Sequence, residues 1–289
     1  MLLSSLLVGI GLFANVEGAL TRVTDFGTNP AGIEMYIDAS GAASRGAPII
    51  VGLHGCHGTA QGYYQDGNMA TLAKQRGAIL IYPSSTHDLL CWDCGTSASL
   101  TRYGGGDPTS IVQMVDYAIG KYNADADRVF IVGTSSGAMM GNVLSAIYPD
   151  VFSAAVVYSG TAAGCMAVPP GTPPNPYDPC GLGRITKTPQ QWGNIVRGYY
   201  PGYTGAYPRM QIWHGTADTT VVYHNFDEEL KEWSNVLGVS FGRNSTNNPQ
   251  SGYTEMIYGT GDTLVGYSAR GVGHVVPQHP TQALSWFGL

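Results

Sequence analysis

The chain is poor in charge. Asp, Glu, Lys and Arg make up 12% of its 289 residues, about half the ~25% usual in globular proteins. A coiled coil or a charge-laced helical array is therefore excluded. Lysine is scarcest, with four in the chain, and 14 Lys and Arg against 20 Asp and Glu leave a net charge of −6. A nucleic-acid face needs clustered basic side chains, so no nucleic-acid partner is expected. Long apolar runs are also missing. The longest apolar segment, Leu6 to Ala14, is too short to span a bilayer as a helix, and no membrane association is expected. There is no Gly-X-Y period, no internal repeat and no Ser/Thr-rich linker, which excludes collagen and leaves one domain as the economical reading.

What the chain does have is apolar bulk and glycine. Hydrophobic residues make up 44%, enough for a sizeable core. The 40 glycines, about twice average usage, must serve turns, tight elbows and close backbone approach. The N-terminal apolar segment reads as a secretory signal peptide over residues 1–18, with Val16 and Gly18 as the small residues before the cut. A single mature domain over residues 19–289 is expected, secreted to the extracellular space and monomeric.

Five cysteines in an exported chain point to two disulfides and one leftover thiol. Cys165 and Cys180 are the easiest pair to assign, because the Pro-rich stretch between them cannot fold as helix or central strand. Cys56, Cys91 and Cys94 compete for the second bridge. Asn244-Ser245-Thr246 is an acceptor sequon in a polar stretch ending Asn247-Asn248-Pro249, which suits a glycan at Asn244 on a surface loop.

Short apolar runs recur with Gly- or Pro-marked ends. Ile33 to Ile37 alternates like a first, half-exposed strand, and Ile49 to Leu53 reads as a buried one. Ala78 to Tyr82 follows, stopped by Pro83. Val129 to Val132, Ala154 to Tyr158 and Met210 to Trp213 are nearly continuous, as parallel strands buried on both faces must be. Tyr253 to Tyr258 is expected to be the last strand. Helical spacing appears from Ile111 to Tyr122, with Pro108-Thr109 as the start signal, and again over Ala138 to Tyr148 and Phe226 to Leu237. Strands alternating with helices predict an α/β fold with right-handed crossovers.

Gly133-Thr134-Ser135-Ser136-Gly137 fits the nucleophile-elbow pattern G-x-S-x-G. In so glycine-rich a chain the pattern alone means little, but its context is right: a strand ends at Val132 and a helix begins at Ala138. A serine hydroxyl needs a base, and the base needs a carboxylate to hold its tautomer. In such sheets these partners follow the serine in the order acid, then His. Asp218, just after the strand ending at Trp213, and His274, before the terminal helix, meet that order. His279 is the rival base, although Pro280 after it marks a helix entry. Two backbone donors are needed for the oxyanion, and the N–H groups of Ser136 and Cys56 are expected to supply them. A Cys56–Cys91 bridge would hold that early loop still and leave Cys94 free. His54 and His57 read as hydrogen-bonding loop residues, since His-x-x-His without a carboxylate makes a poor metal site.

Together these residues resemble carbohydrate esterase family 1, the secreted fungal acetylxylan esterases with their feruloyl esterase and polyhydroxybutyrate depolymerase relatives. The likeness covers nearly the whole mature chain. It runs through Val23-Thr24-Asp25-Phe26-Gly27, Ile81-Tyr82-Pro83-Ser84-Ser85, Cys91-Trp92, Gly104-Gly105-Gly106, Ser135-Ser136-Gly137-Ala138-Met139-Met140, Tyr200-Pro201-Gly202-Tyr203, Met210-Gln211-Ile212-Trp213-His214-Gly215 and Gly271-Val272-Gly273-His274. It implies an α/β-hydrolase fold, a mostly parallel sheet with helices on both faces, and a Ser135, Asp218, His274 triad. It further implies no metal or cofactor, and hydrolysis of esters on plant cell-wall polysaccharide. Two positions depart from the acetylxylan branch: His54-Gly55-Cys56-His57-Gly58 matches the depolymerase and feruloyl branches, and Trp213 stands where tyrosine is usual. The expected reaction is deacetylation of acetylated xylan, with feruloyl ester hydrolysis as the alternative. Trp92, Trp192 and Tyr203 are candidates to stack on sugar rings or line the acyl pocket, and equally candidates for the core, with no carbohydrate-binding module attached.

Overall fold

The structure, a computed structural model, describes residues 20–42, 45–169 and 178–289. The signal peptide reading of residues 1–18 and the stretch 170–177 of the Pro-rich loop lie outside the described residues. The strands are β1 (Thr21–Val23), β2 (Glu34–Asp38), β3 (Ile49–Leu53), β4 (Ile79–Ser84), β5 (Val129–Thr134), β6 (Ala154–Tyr158), β7 (Arg209–Gly215), β8 (Phe241–Thr246), β9 (Tyr253–Tyr258) and β10 (Leu264–Ala269). They form one sheet in the order β1-β2-β4-β3-β5-β6-β7-β10-β9-β8. The stretch from β4 to β10 is parallel, and β1, β2, β9 and β8 add antiparallel margins.

The central strands read as unbroken apolar runs because both faces are covered. Ile50, Leu80, Phe130 and Val156 point to one face. There they meet α1 (Ala60–Gln65), α2 (Met69–Gln75) and α7 (Pro280–Phe287). Val51, Ile81, Ile131 and Val157 point to the other. That face carries α3 (Asp107–Tyr122), α4 (Ser136–Ile147), α5 (Pro189–Tyr199) and α6 (His224–Leu237). Each such side chain, taken fully out of water, contributes roughly 1.5–3 kcal/mol. Local signals set the helix ends. Pro108 lies in the first turn of α3, where its missing N–H is no loss, and Asn123 closes the helix at φ 50°.

Three expectations need correction. Pro83 does not stop its strand, because β4 runs to Ser84; the β3 ladder ends at Ile81, and Pro83 lies beyond it, opposite Met35 of β2. Tyr253–Tyr258 is not the last strand, since β10 follows and inserts between β7 and β9. Gly266 hid β10 from its pattern: Phe226 and Leu230 of α6 press on that site, and a Cβ there would lie 2.9 Å from the Phe226 ring. Asn244 lies not on a loop but on the exposed edge strand β8, whose polar sequence carries no burial signal.

Candidate active site

Ser135 stands between β5 and α4 with φ 57° and ψ −122°. A non-glycine residue at positive φ is strained and persists only where its surroundings enforce it. Here the Ser135 N–H is tied to the Tyr158 carbonyl at 2.8 Å, and the Ser135 carbonyl accepts from Ala138 and Met139 at the start of α4. Gly133 and Gly137 make the turn passable. A Cβ on Gly133 would strike the Gly137 carbonyl, and one on Gly137 would strike the carbonyls of Leu53 and His54.

His274 arrives from the loop after β10. Its Nε2 lies 2.8 Å from Ser135 Oγ and its Nδ1 2.8 Å from Asp218 Oδ2. The loops bearing the acid and the base are laced together: Ala217 N–H donates to the Val272 carbonyl at 2.9 Å, and Gly271 N–H to Thr216 Oγ1 at 2.9 Å. Asp218 Oδ1 accepts the N–H groups of Thr220 and Val221 at 2.9 and 3.0 Å. Burial opposes the charge of Asp218, but hydrogen bonds from His214, His274 and Thr220 outweigh it and hold its carboxyl well below the usual carboxylate range. An ionised acid, an imidazole and a hydroxyl in contact order are what acyl transfer through a serine requires. His279, the rival, is elsewhere: it precedes α7 and stacks on Trp213 with ring centroids 4.4 Å apart.

The early loop abuts the serine. A Cβ on Gly55 would lie 3.3 Å from Ser135 Cβ. The N–H groups of His57 and Gly58 are taken up by the Leu89 and Gly55 carbonyls, whereas among the described residues the Cys56 N–H meets no protein acceptor. Several contacts brace this loop. Cys56 is bridged to Cys91, His54 Nδ1–H donates to the Gly55 carbonyl at 2.7 Å, and His54 Nε2 accepts from Ser85 N–H at 3.1 Å. Both ring nitrogens of His54 are thereby occupied, in line with a hydrogen-bonding loop residue. Cys165 is bridged to Cys180, and Cys94 is free and buried with its thiol on the Ser136 carbonyl. A cavity of about 330 Å³ opens beside the loop, lined by Gly55, Cys56, Gly62, Tyr63, Gln65 and Asp66. A larger one, about 690 Å³, lies against β1, remote from Ser135. Among the described residues no group of three or more His, Cys, Asp or Glu side chains could hold a metal ion.

The three aromatic candidates for substrate contact are not brought to the site. Trp92 is 5% exposed and donates its indole N–H to the His54 carbonyl at 2.8 Å. It braces the early loop from beneath. Trp192 is fully buried and donates to Glu228 Oε2 at 2.7 Å, so no sugar can stack on it. Tyr203 precedes β7 and stacks on Tyr200, which covers Arg102; that guanidinium binds the Ile147 carbonyl at the far end of α4. Tyr203 therefore sits at the sheet edge opposite Ser135. Trp213 is likewise buried, stacked between Tyr267 and His279, so its departure from tyrosine falls in the core.

His214 precedes the acid in the chain and so falls outside the order acid, then His. It nevertheless reaches Asp218 from behind, Nε2 to Oδ2, at 3.3 Å. The spacing His214-Gly215-Thr216-Ala217-Asp218 was the available signal, but only the turn after β7 brings the two side chains together.

Comparison with known proteins agrees with this geometry. A family profile described as "Esterase PHB depolymerase" matches residues 33–168. A feruloyl esterase B of Neurospora crassa is 48% identical over 98% of both chains. An acetylxylan esterase A of Aspergillus awamori is 44% identical, covering 94% of this chain and 90% of its own length. The solved acetyl xylan esterase from Aspergillus awamori superposes with a TM-score of 0.90 at 44% identity, over 94% of this chain and 99% of that one. The fold is thus the α/β-hydrolase fold, and the chain belongs to the esterase family of these fungal feruloyl esterase B and acetylxylan esterase A proteins and is a carboxylic ester hydrolase.

Proposed function

We propose that this chain is an extracellular serine esterase that removes acetyl groups from xylan. The observation that carries the reaction type is the run of contacts from Ser135 Oγ through His274 to Asp218, 2.8 Å at each step, set on a strained strand-to-helix turn. Ser135 Oγ attacks the ester carbonyl and passes its proton to His274 Nε2. The N–H groups of Cys56 and Ser136 take the oxyanion, and Asp218 holds the imidazolium. Collapse breaks the bond to the sugar oxygen, which leaves with the proton from His274. Water then attacks the acetyl-enzyme by the same route, releasing acetate and restoring Ser135.

The acetyl reading is supported by the near-complete superposition on an acetyl xylan esterase. Hydrolysis of feruloyl esters is the second reading. Feruloyl esterase B relatives at 48% identity favour it, as does the 330 Å³ cavity beside Gly55 and Cys56, which falls within the usual range for ligand pockets. Secretion is supported by the leader-like residues 1–18, the two disulfides and the exposed sequon at Asn244. Among the described residues no helix is long and apolar enough to cross a membrane.

Release of acetate from acetylated xylan is measured beside release of ferulate from a feruloylated arabinose ester, with Ser135→Ala as control. Acetate from the wild type alone supports the proposal. Ferulate without acetate transfers it to the second reading, and turnover by the alanine variant removes Ser135 from the mechanism.

A further inference from the structure

Behind Asp218 lies a second buried carboxyl and imidazole, and the hydrogen bonds around them fix the ring hydrogen on His214 Nε2. His214 and Glu229 are both 0% exposed. His214 Nε2 faces the Val221 carbonyl at 2.8 Å, and a carbonyl only accepts, so the ring hydrogen is on Nε2. The same N–H leans toward Asp218 Oδ2 at 3.3 Å. On the other side of the ring, Nδ1 has no hydrogen-bond partner and faces Glu229 Oε2 at 4.0 Å, which is also without one.

Asn142 orients the carboxyl. Trp233 donates its indole N–H to Asn142 Oδ1 at 2.8 Å, which makes that atom the amide oxygen. The amide nitrogen then donates to the Thr161 carbonyl at 2.9 Å and to Glu229 Oε1 at 2.6 Å. Oε1 is thereby an acceptor, and any proton on Glu229 sits on Oε2, facing the His214 lone pair. Asp227, Glu228 and Glu232 share helix α6 with Glu229; Asp218 and Tyr223 flank His214; α4 offers the neutral Asn142. Among the described residues no Lys or Arg pairs with Glu229 or Glu232. Glu229 is thus desolvated among acids, which disfavours its charged form. Burial, partly offset by His214 and the Asn142 hydrogen bond, pushes its carboxyl up to about 7.

We propose that Glu229 is a protonated acid aimed at His214 Nδ1, and that this pair is a positioning device which keeps His214 neutral with its Nε2–H turned to Asp218. Asp218 then stands ionised between two imidazoles, one fixed and one that gains the serine proton. A charged His214 would compete with His274 for the same oxygen of Asp218. The proposal rests on the Ser135, His274, Asp218 reading above.

Glutamine and leucine at position 229 test it. Gln keeps the acceptor for Asn142 and offers an N–H to His214 Nδ1; Leu offers neither. The expected result is kcat within about threefold of wild type for Glu229→Gln. For Glu229→Leu, a fall in kcat of about tenfold at unchanged KM is expected, the size of one lost hydrogen bond. Imidazole 15N spectra of the wild type at pH 6 supply a readout independent of activity: His214 Nδ1 is expected bare and Nε2 protonated. A protonated Nδ1, a Gln variant as impaired as the Leu variant, or a Leu variant with wild-type kcat overturns the proposal. Failure of the triad reading shows separately, as activity surviving in Ser135→Ala.

Discussion

The indole N–H of Trp92 donates to the carbonyl of His54 at 2.8 Å, two residues before the Cys56 peptide that flanks Ser135. An oxyanion donor, the role proposed for the Cys56 N–H, works only while its peptide stays still, and Trp92 with Cys91 just before it ties that loop to the following segment. Trp92→Phe keeps most of the packing but leaves the buried carbonyl without its partner, at a cost of about 1–3 kcal/mol. The expected outcome is kcat lowered about tenfold with KM little changed, measured by steady-state kinetics on a soluble aryl acetate.

The Cys56–Cys91 bridge closes a loop with a sequence separation of 35. Chain entropy alone makes such a closure worth roughly 3–4 kcal/mol. Cys91→Ala, which leaves the Cys56 peptide in place, should lower stability by that order and lower kcat as well. Cys165→Ala with Cys180→Ala, which leaves the Cys56–Cys91 bridge intact, should lower stability with a smaller effect on kcat. Denaturant unfolding beside kinetics separates the two.

His274 and His279 lie five residues apart but differ in environment: one touches Ser135 Oγ, the other is stacked on Trp213. His274→Ala should remove at least about 10³-fold of kcat while the fold melts normally. His279→Ala should retain catalysis and lose stability by about 1–3 kcal/mol through the vacated stack.

Tyr203 belongs to the tyrosine and Arg102 cluster at the opposite sheet edge. Tyr203→Ala should leave kcat/KM on a small acetyl ester within about twofold. A loss of tenfold would return Tyr203 to the substrate site.

Glu229 gives stability a pH dependence of known sign. Its carboxyl is raised from 4.5 to about 7 in the folded chain, so the folded state holds a proton that the unfolded chain releases earlier. Its contribution is fully present below pH 4.5 and is lost as pH rises through about 7. The whole span is on the order of 3 kcal/mol. Wild type should therefore lose stability between those limits relative to Glu229→Gln, whose carboxamide does not titrate. Thermal unfolding of both at pH 4.5, 6 and 8 checks this, and parallel curves would show that Glu229 keeps its ordinary value.

Much of this was open to reading in one dimension. β3 and β6 appear in the chain as they do in the sheet, because strands covered on both faces are apolar at every position. The elbow is legible because the backbone at Ser135 tolerates only small neighbours. β10 and β8 escaped the pattern for opposite reasons: Gly266 makes room for α6, and the exposed edge strand has nothing to bury.

Residue type, local spacing and order along the chain thus determined the alternating strands and helices, the nucleophile turn and the succession of Ser135, Asp218 and His274. Tertiary packing decided which aromatic rings face solvent and which hold the backbone. It settled Trp92 and Trp192, open between substrate contact and core, as buried donors, carried Tyr203 to the far edge, and brought Glu229 of α6 against His214 of β7. Burial and contact between distant elements are set by how helices close over the sheet, and no local spacing encodes that.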